Sequence, residues 1–288
     1  MTFRIVLTVA HLTVREASRR KVLRALAGLM ITLLGLSAWG FAKLAGGLES
    51  QFGSLTTGEA KLVAAQVLNL VMFGMSMIAA LGTAFLAGPT LSGEIESGMS
   101  LSVLARPVRR SDVLLGKWLG LVAFGSGFIV LAGLAQFVVV QVTVGYWPPQ
   151  PVVGLALLAA QTSVLLTLGL LLSTVISPMA SGIVAVGLFC ATWIAGVVGG
   201  VGVAVGNEGV AKVGTVSRML LPTDGLWRGA MHAFQDPSAL AQFSGPAADG
   251  GFPFFSKNAL TATYLSWTLI WVALVLGLAG MVFQRRDL

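Results

Sequence analysis

Residues able to do chemistry are few in this chain, and their placement is what carries information. Between residues 88 and 117 lie Glu94, Glu96, Arg106, Arg109, Arg110, Asp112 and Lys117, both signs of charge in one short stretch. Their spacing suits a helix. Ser92 can cap it, with Glu94 and Glu96 favourably placed in its positively polarised first turn. Ile95, Met99 and Val103 then share one stripe at i, i+4 and i+8, Pro107 ends the helix, and Asp112 can cap the next one. Five amides, Gln66, Asn69, Gln136, Gln141 and Gln161, stand in apolar surroundings, where such groups either bond between helices or line a polar route. Met72, Met75 and Met77 bring three thioethers together, a soft donor set that suits Cu(I) and is equally ordinary packing material.

The remaining reactive types narrow the options. Cys190 is the single cysteine, so neither an intramolecular disulfide nor a cysteine-based zinc site can form; inside an apolar run its role is packing. The two histidines, His11 and His232, read as solvent-facing or locally bonded. No hydrolase triad, carboxylate pair or metal-ligand cluster emerges. Gly116-Lys117 lacks the glycine five residues earlier that a phosphate cradle needs and is followed by Trp118, so the chain has no nucleotide-binding loop. The expectation is a protein that is not an enzyme and binds no cofactor or metal of its own.

These residues are carried on 288 residues of which 56% are hydrophobic and 10% charged, against roughly 25% charged in an average soluble domain. That composition excludes a soluble globule. It excludes disorder and collagen as well, since the 36 glycines keep no three-residue period and apolar content is too high. Four stretches lack charge altogether: Ala25–Ala42, Leu62–Gly93, Trp118–Asn207 and Asn258–Gln284. About 20 apolar residues cross a bilayer, so the third must hold several spans. Tyr146, Trp147, Pro148, Pro149 and Pro151 break it once, and Ser177-Pro178 breaks it again. Six helices result, near 23–42, 63–87, 114–143, 152–176, 179–206 and 260–283. Continuous apolar runs without alternation argue against a β-barrel.

An even number of spans leaves both termini on one side. Counting 18 lysines and arginines, twelve fall at that side and six opposite, which predicts cytoplasmic termini in a plasma (inner) membrane. Net charge +7 therefore reflects topology and contact with membrane lipid, not nucleic acid. The long basic region before the first span argues against a cleaved signal peptide. Trp39, Tyr146, Trp147, Tyr264 and Trp267 fall near the outer boundary, where amphipathic rings collect. Residues 2–24 suit an interfacial helix. The external segment 207–259 predicts short amphipathic helices in its first half, with Asp224 as an N-cap and Leu226, Trp227, Ala230, Met231 and Phe234 on one side. Gly196-x-x-x-Gly200 and Gly202-x-x-x-Gly206 permit close helix approach or a dimer face. Apart from Arg24 and Lys117 near their cytoplasmic ends, the spans carry no Asp, Glu, Lys, Arg or His, so a proton-coupled carrier has no relay.

The stretch from Glu94 to Lys117 closely resembles the cytoplasmic loop of ABC-2 type permeases, the membrane subunits of bacterial ABC exporters, in the residues Glu94, Ser97, Gly98, Arg106, Pro107, Arg110, Gly116 and Lys117. His11-Leu12-Thr13-Val14-Arg15-Glu16 is similar to that family's entry helix, Leu221-Pro222-Thr223-Asp224 to its external motif, and Phe283 to Leu288 to its usual ending. With the six-span layout, the resemblance extends over nearly the whole chain as one domain. It implies an all-α polytopic membrane protein with an N-terminal interfacial helix and a cytoplasmic coupling helix near 92–106. It also implies that Glu94, Glu96, Ser97, Gly98, Arg106, Pro107 and Arg110 engage a separate ATPase. Two such ATPase subunits, binding ATP and Mg, and a second permease copy, identical or different, are the expected partners. Gln66, Asn69, Gln136 and Gln161 are then candidates to line the route. A related permease group serves maturation of the copper enzyme nitrous oxide reductase, which keeps the methionine reading in view. The alternative function is a membrane assembly or mechanotransmission factor that engages an ATPase and an external protein.

Overall fold

The computed structural model describes residues 2–52, 58–96, 109–236, 254–256 and 258–285. Among them the regular elements are nine α-helices: α1 (Thr2–Arg19), α2 (Lys21–Phe52), α3 (Gly58–Glu96), α4 (Arg110–Val144), α5 (Pro151–Val175), α6 (Pro178–Ala204), α7 (Glu208–Leu220), α8 (Thr223–Phe234) and α9 (Ala262–Arg285). Six of them, α2 to α6 and α9, are long and apolar enough to cross a membrane. An apolar run in lipid must satisfy its own backbone, and a helix does so within one segment. Pro151 and Pro178 sit in the first turns of α5 and α6, where the missing N–H has no partner to lose.

The centre of the bundle is α3 and α5. Of their apolar stretches 61% and 67% are buried, against 22% for α2 and for α9. The other spans pack around this pair, α8 lies against α5, and α7 against α6. At one end, the α1 end, Gly88 and Thr90 of α3, the first turns of α4 and α6 and the last turn of α9 come together. The other end is built on α7 and α8. α1 packs along the start of α4, because Gly116 and Gly120 leave room there. A Cβ on Gly116 would stand 2.8 Å from the Val6 carbonyl oxygen, and one on Gly120 2.6 Å from that of Ala10.

Three expected helix starts are corrected. α3 runs unbroken through Pro89 to Glu96, so no new helix begins at Ser92. The Thr90 hydroxyl donates to the Leu86 and Ala87 carbonyls at 2.7 and 2.6 Å, serving acceptors beside the break that a proline makes in the ladder. α4 begins at Arg110 after Arg109 as its N-cap, which puts Asp112 inside the first turn instead of at the cap. α8 likewise begins at Thr223 after Pro222, leaving Asp224 free for a different task. That helix is also not one-sided: ten of its twelve residues are buried.

Candidate functional site

At the α1 end, cations hold the helices through backbone carbonyls. Lys117, buried in α4, donates from Nζ to the Thr90 carbonyl at 2.6 Å, tying the start of the third span to the foot of the second. Arg110 reaches from Nη1 to the Phe283 and Gln284 carbonyls at 3.4 and 3.2 Å, acceptors in the last turn of α9 that helix geometry leaves open. Gly88 lies against the Pro178 carbonyl, so α3 and α6 meet backbone to backbone just before α3 leaves the bundle. Glu94 and Glu96 stand on the final turn of α3. Ser97, Gly98, Arg106 and Pro107, with most of the 92–106 segment, lie outside the described residues.

Beside the α3–α6 crossing is an apolar groove of about 640 Å³, walled by Leu81, Phe85, Met179, Ile183 and Val186 and bounded by Pro89 and Pro178. A smaller groove of about 330 Å³ lies between α6 and α9 under the end of α7, with Leu168, Leu188, Leu220 and Trp271 among its walls. Both are lined almost wholly by carbon, which suits apolar groups and offers nothing to an ion.

The α8 end is organised by a carboxylate. Asp224 Oδ2 accepts from Arg218 Nε at 2.9 Å and from Arg228 Nε at 3.0 Å, with its side chain 2% exposed. Arg228 also donates from Nη2 to the Gly196 carbonyl at 2.8 Å. Burial draws the Arg228 guanidinium below its ordinary value and Asp224 opposes that; an arginine stays charged throughout. Gly196 is where the hub meets α6, since a Cβ there would collide with the Asp224 carboxylate. The last three residues of α7 present carbonyls that no intrahelical N–H can reach. Three rings of α9 cap them: Tyr264 Oη donates to Arg218 at 3.0 Å, Trp267 Nε1 to Met219 at 3.1 Å and Trp271 Nε1 to Leu220 at 2.8 Å. Spacing i, i+3, i+7 puts these rings on one face.

Deeper in, Phe73 of α3 stacks on Trp193 of α6 at 4.6 Å and meets Trp227 of α8 at 5.5 Å. The buried Tyr146 hydroxyl donates to the Phe234 carbonyl at 2.5 Å; burial first, then Asp236, pushes its ionisation well above the ordinary value.

A family model described as an ABC-2 family transporter protein matches residues 7–288. The chain belongs to the ABC-2 transporter family. None of the curated proteins matches it. ABC-2 membership with six apolar helices makes the chain a multi-pass transporter permease, in a family whose members are typically non-catalytic and generally work with an ABC ATPase.

Within this ABC-2 permease the amides are dispersed. Gln136 donates from Nε2 to Ser37 Oγ at 2.6 Å, linking α4 to α2; Gln161 accepts from Ser76 Oγ at 3.0 Å, linking α5 to α3; Asn69 donates from Nδ2 to the Phe254 carbonyl at 3.1 Å. Gln66 is half-buried and Gln141 exposed. One acceptor each on Asn69 and Gln136 has no partner among the described residues. Met72 and Met75 belong to the main core, whereas Met77 packs with Cys190 and Phe189 in a separate cluster. His232 Nδ1 is 3.2 Å from the Ser256 carbonyl oxygen, and His11 is exposed.

Sequence reasoning misplaced several groups. The close-approach stripe on α6 is Gly196, Gly199 and Gly202, facing Asp224 and α7, in a different register from the two pairs expected; Gly206 turns the chain with φ +71°. Tyr146, Tyr264 and Trp267, expected near the outer boundary, donate to backbone carbonyls of α8 and α7, while Trp39 and Trp147 are exposed. The Arg218–Asp224–Arg228 hub was not anticipated. Its sequence signal was available, as three charges within eleven residues of an otherwise apolar half are hard to bury singly.

Proposed function

We propose that this permease is the membrane subunit of an exporter in the plasma membrane, driven by two ATPase subunits that bind ATP and Mg and completed by a second permease copy, identical or different. The observation that carries the reading is the unbroken continuation of α3 from the bundle interior to Glu96. A load applied to residues 92–106 is delivered along the axis of the second span, and Lys117 at Thr90 and Arg110 at α9 pass it to the third and sixth. The α1 end is the cytoplasmic one, in keeping with its excess of lysine and arginine. Glu94, Glu96, Ser97, Gly98, Arg106, Pro107 and Arg110 form or support the docking surface.

We assign the apolar groove at the α3–α6 crossing to the translocation route, where carbon walls without ionisable groups favour a lipid-like, peptide or drug-like cargo. The amides of Gln136 and Gln161 are engaged between helices, so their first role is packing; the fully buried oxygens of Gln136 and Asn69 would meet a polar part of the cargo only when the helices part.

Coexpression with a genetically adjacent ATPase tests this. The ATPase is expected to copurify, and its activity in reconstituted vesicles to rise with the permease present. Charge reversal at Glu94 together with Arg106→Glu is expected to abolish both. Intact coupling in that variant, or absence of any associated ATPase, overturns the proposal.

A further inference from the structure

We propose that α1 is a docking surface for anionic lipid headgroups; the inference rests on the cytoplasmic assignment of the α1 end. One side of α1 is committed, since Val6, Val9, Ala10 and Thr13 lie against Gly116 and Gly120 of α4. On the open side Arg4, His11, Arg15 and Arg19 recur at i, i+7, i+11 and i+15, a single helical stripe, and all four are exposed. Arg4, Arg15 and Arg19 make no ion pair among the described residues, whereas neighbouring Arg20 is tied to Glu16 at 2.6 Å. The only acidic group on the helix is therefore already engaged, and Lys21 and Arg24 extend the exposed positive charge onto the first turn of α2.

Apolar bulk lies beside the cations. Phe3 is 74% and Leu7 50% exposed, one turn apart on the flank of the stripe. An acidic protein surface would satisfy the arginines and leave these two side chains in water. A leaflet satisfies both, taking Phe3 and Leu7 among its acyl chains and offering phosphates to the guanidiniums. Because α1 is braced on Gly116 and Gly120, it adjoins Lys117, which holds the foot of α3. Bound lipid would thus steady the base of the lever.

The test uses the full permease in nanodiscs of phosphatidylcholine with and without phosphatidylglycerol, with retained lipid counted by native mass spectrometry. The wild type is expected to retain phosphatidylglycerol preferentially. In the R4Q/R15Q/R19Q variant that preference falls by about tenfold or more. R4K/R15K/R19K keeps it, and so does K43Q/K61Q/K212Q, which removes three charges elsewhere. The proposal is overturned if the glutamine variant keeps its preference, if the lysine variant loses it equally, or if the distant control loses it. It is also overturned if the glutamine variant loses ATPase copurification in detergent while lipid preference is unchanged, which would make α1 a protein-docking face. Lipid preference is read without the ATPase, so failure of a motor to associate with the wild type would sink the proposed function alone.

Discussion

At the α8 end one carboxylate gathers two guanidiniums and three rings close the end of α7, whereas at the α1 end Lys117 reaches the Thr90 carbonyl and Arg110 those of Phe283 and Gln284, on neighbouring helices. The difference lies in what stands at the centre of each end. A charge-centred hub fixes several elements at once, and removing its centre leaves buried charge uncompensated. A cation on a carbonyl joins two elements through a charge-assisted hydrogen bond. Under the proposed function, force would enter at the end held through backbone carbonyls and not at the end centred on a buried carboxylate.

The largest expected effect breaks the cap. Asp224→Asn keeps the volume but leaves Arg218 and Arg228 without a counter-charge, and should destabilise the permease by about 3–5 kcal/mol. Thermal unfolding in detergent, read as loss of the monodisperse species, would show it; a change below about 1 kcal/mol would mean the hub is no more than a surface contact. Next comes Lys117→Met, which removes a charge-assisted bond of about 1.5–3 kcal/mol. If the base transmits force, ATPase stimulation should fall further than stability does. Equal losses in the two measurements would erase the contrast between the ends.

Smaller effects sharpen the picture. Trp271→Phe leaves the Leu220 carbonyl without its donor at a largely buried site and is expected to lose about 1–2 kcal/mol. Trp267→Phe, at the more exposed bond to Met219, should lose under about 1 kcal/mol because water can replace the indole. Unfolding midpoints of the two variants side by side test the gradient; reversal of the order would argue that the caps do not scale with depth.

Much of the fold could be read directly. Charge-free runs and their proline breaks mark six helices because lipid admits no other way to satisfy the backbone of a continuous apolar segment. The family motifs at Glu94 to Lys117 likewise belong to the linear chain. Helix starts were less legible: Ser92, Asp112 and Asp224 are all good capping types, yet none begins its helix, since capping preference of about 1 kcal/mol is easily outweighed by tertiary contacts. Asp224 is drawn to two arginines instead, one of them four residues on and the other across the turn from α7.

What the sequence determined by itself is the number of spans, their helical form and the family, all consequences of local composition and order. Only the tertiary structure decided which side chains meet: that Lys117 reaches Thr90, that three rings of α9 face the end of α7, and that Gly196, Gly199 and Gly202 form the working stripe. Hydropathy is a property of a segment, whereas a hydrogen bond between residues 51 apart, such as Trp271 to Leu220, depends on the rotation of each helix about its axis, which packing alone sets.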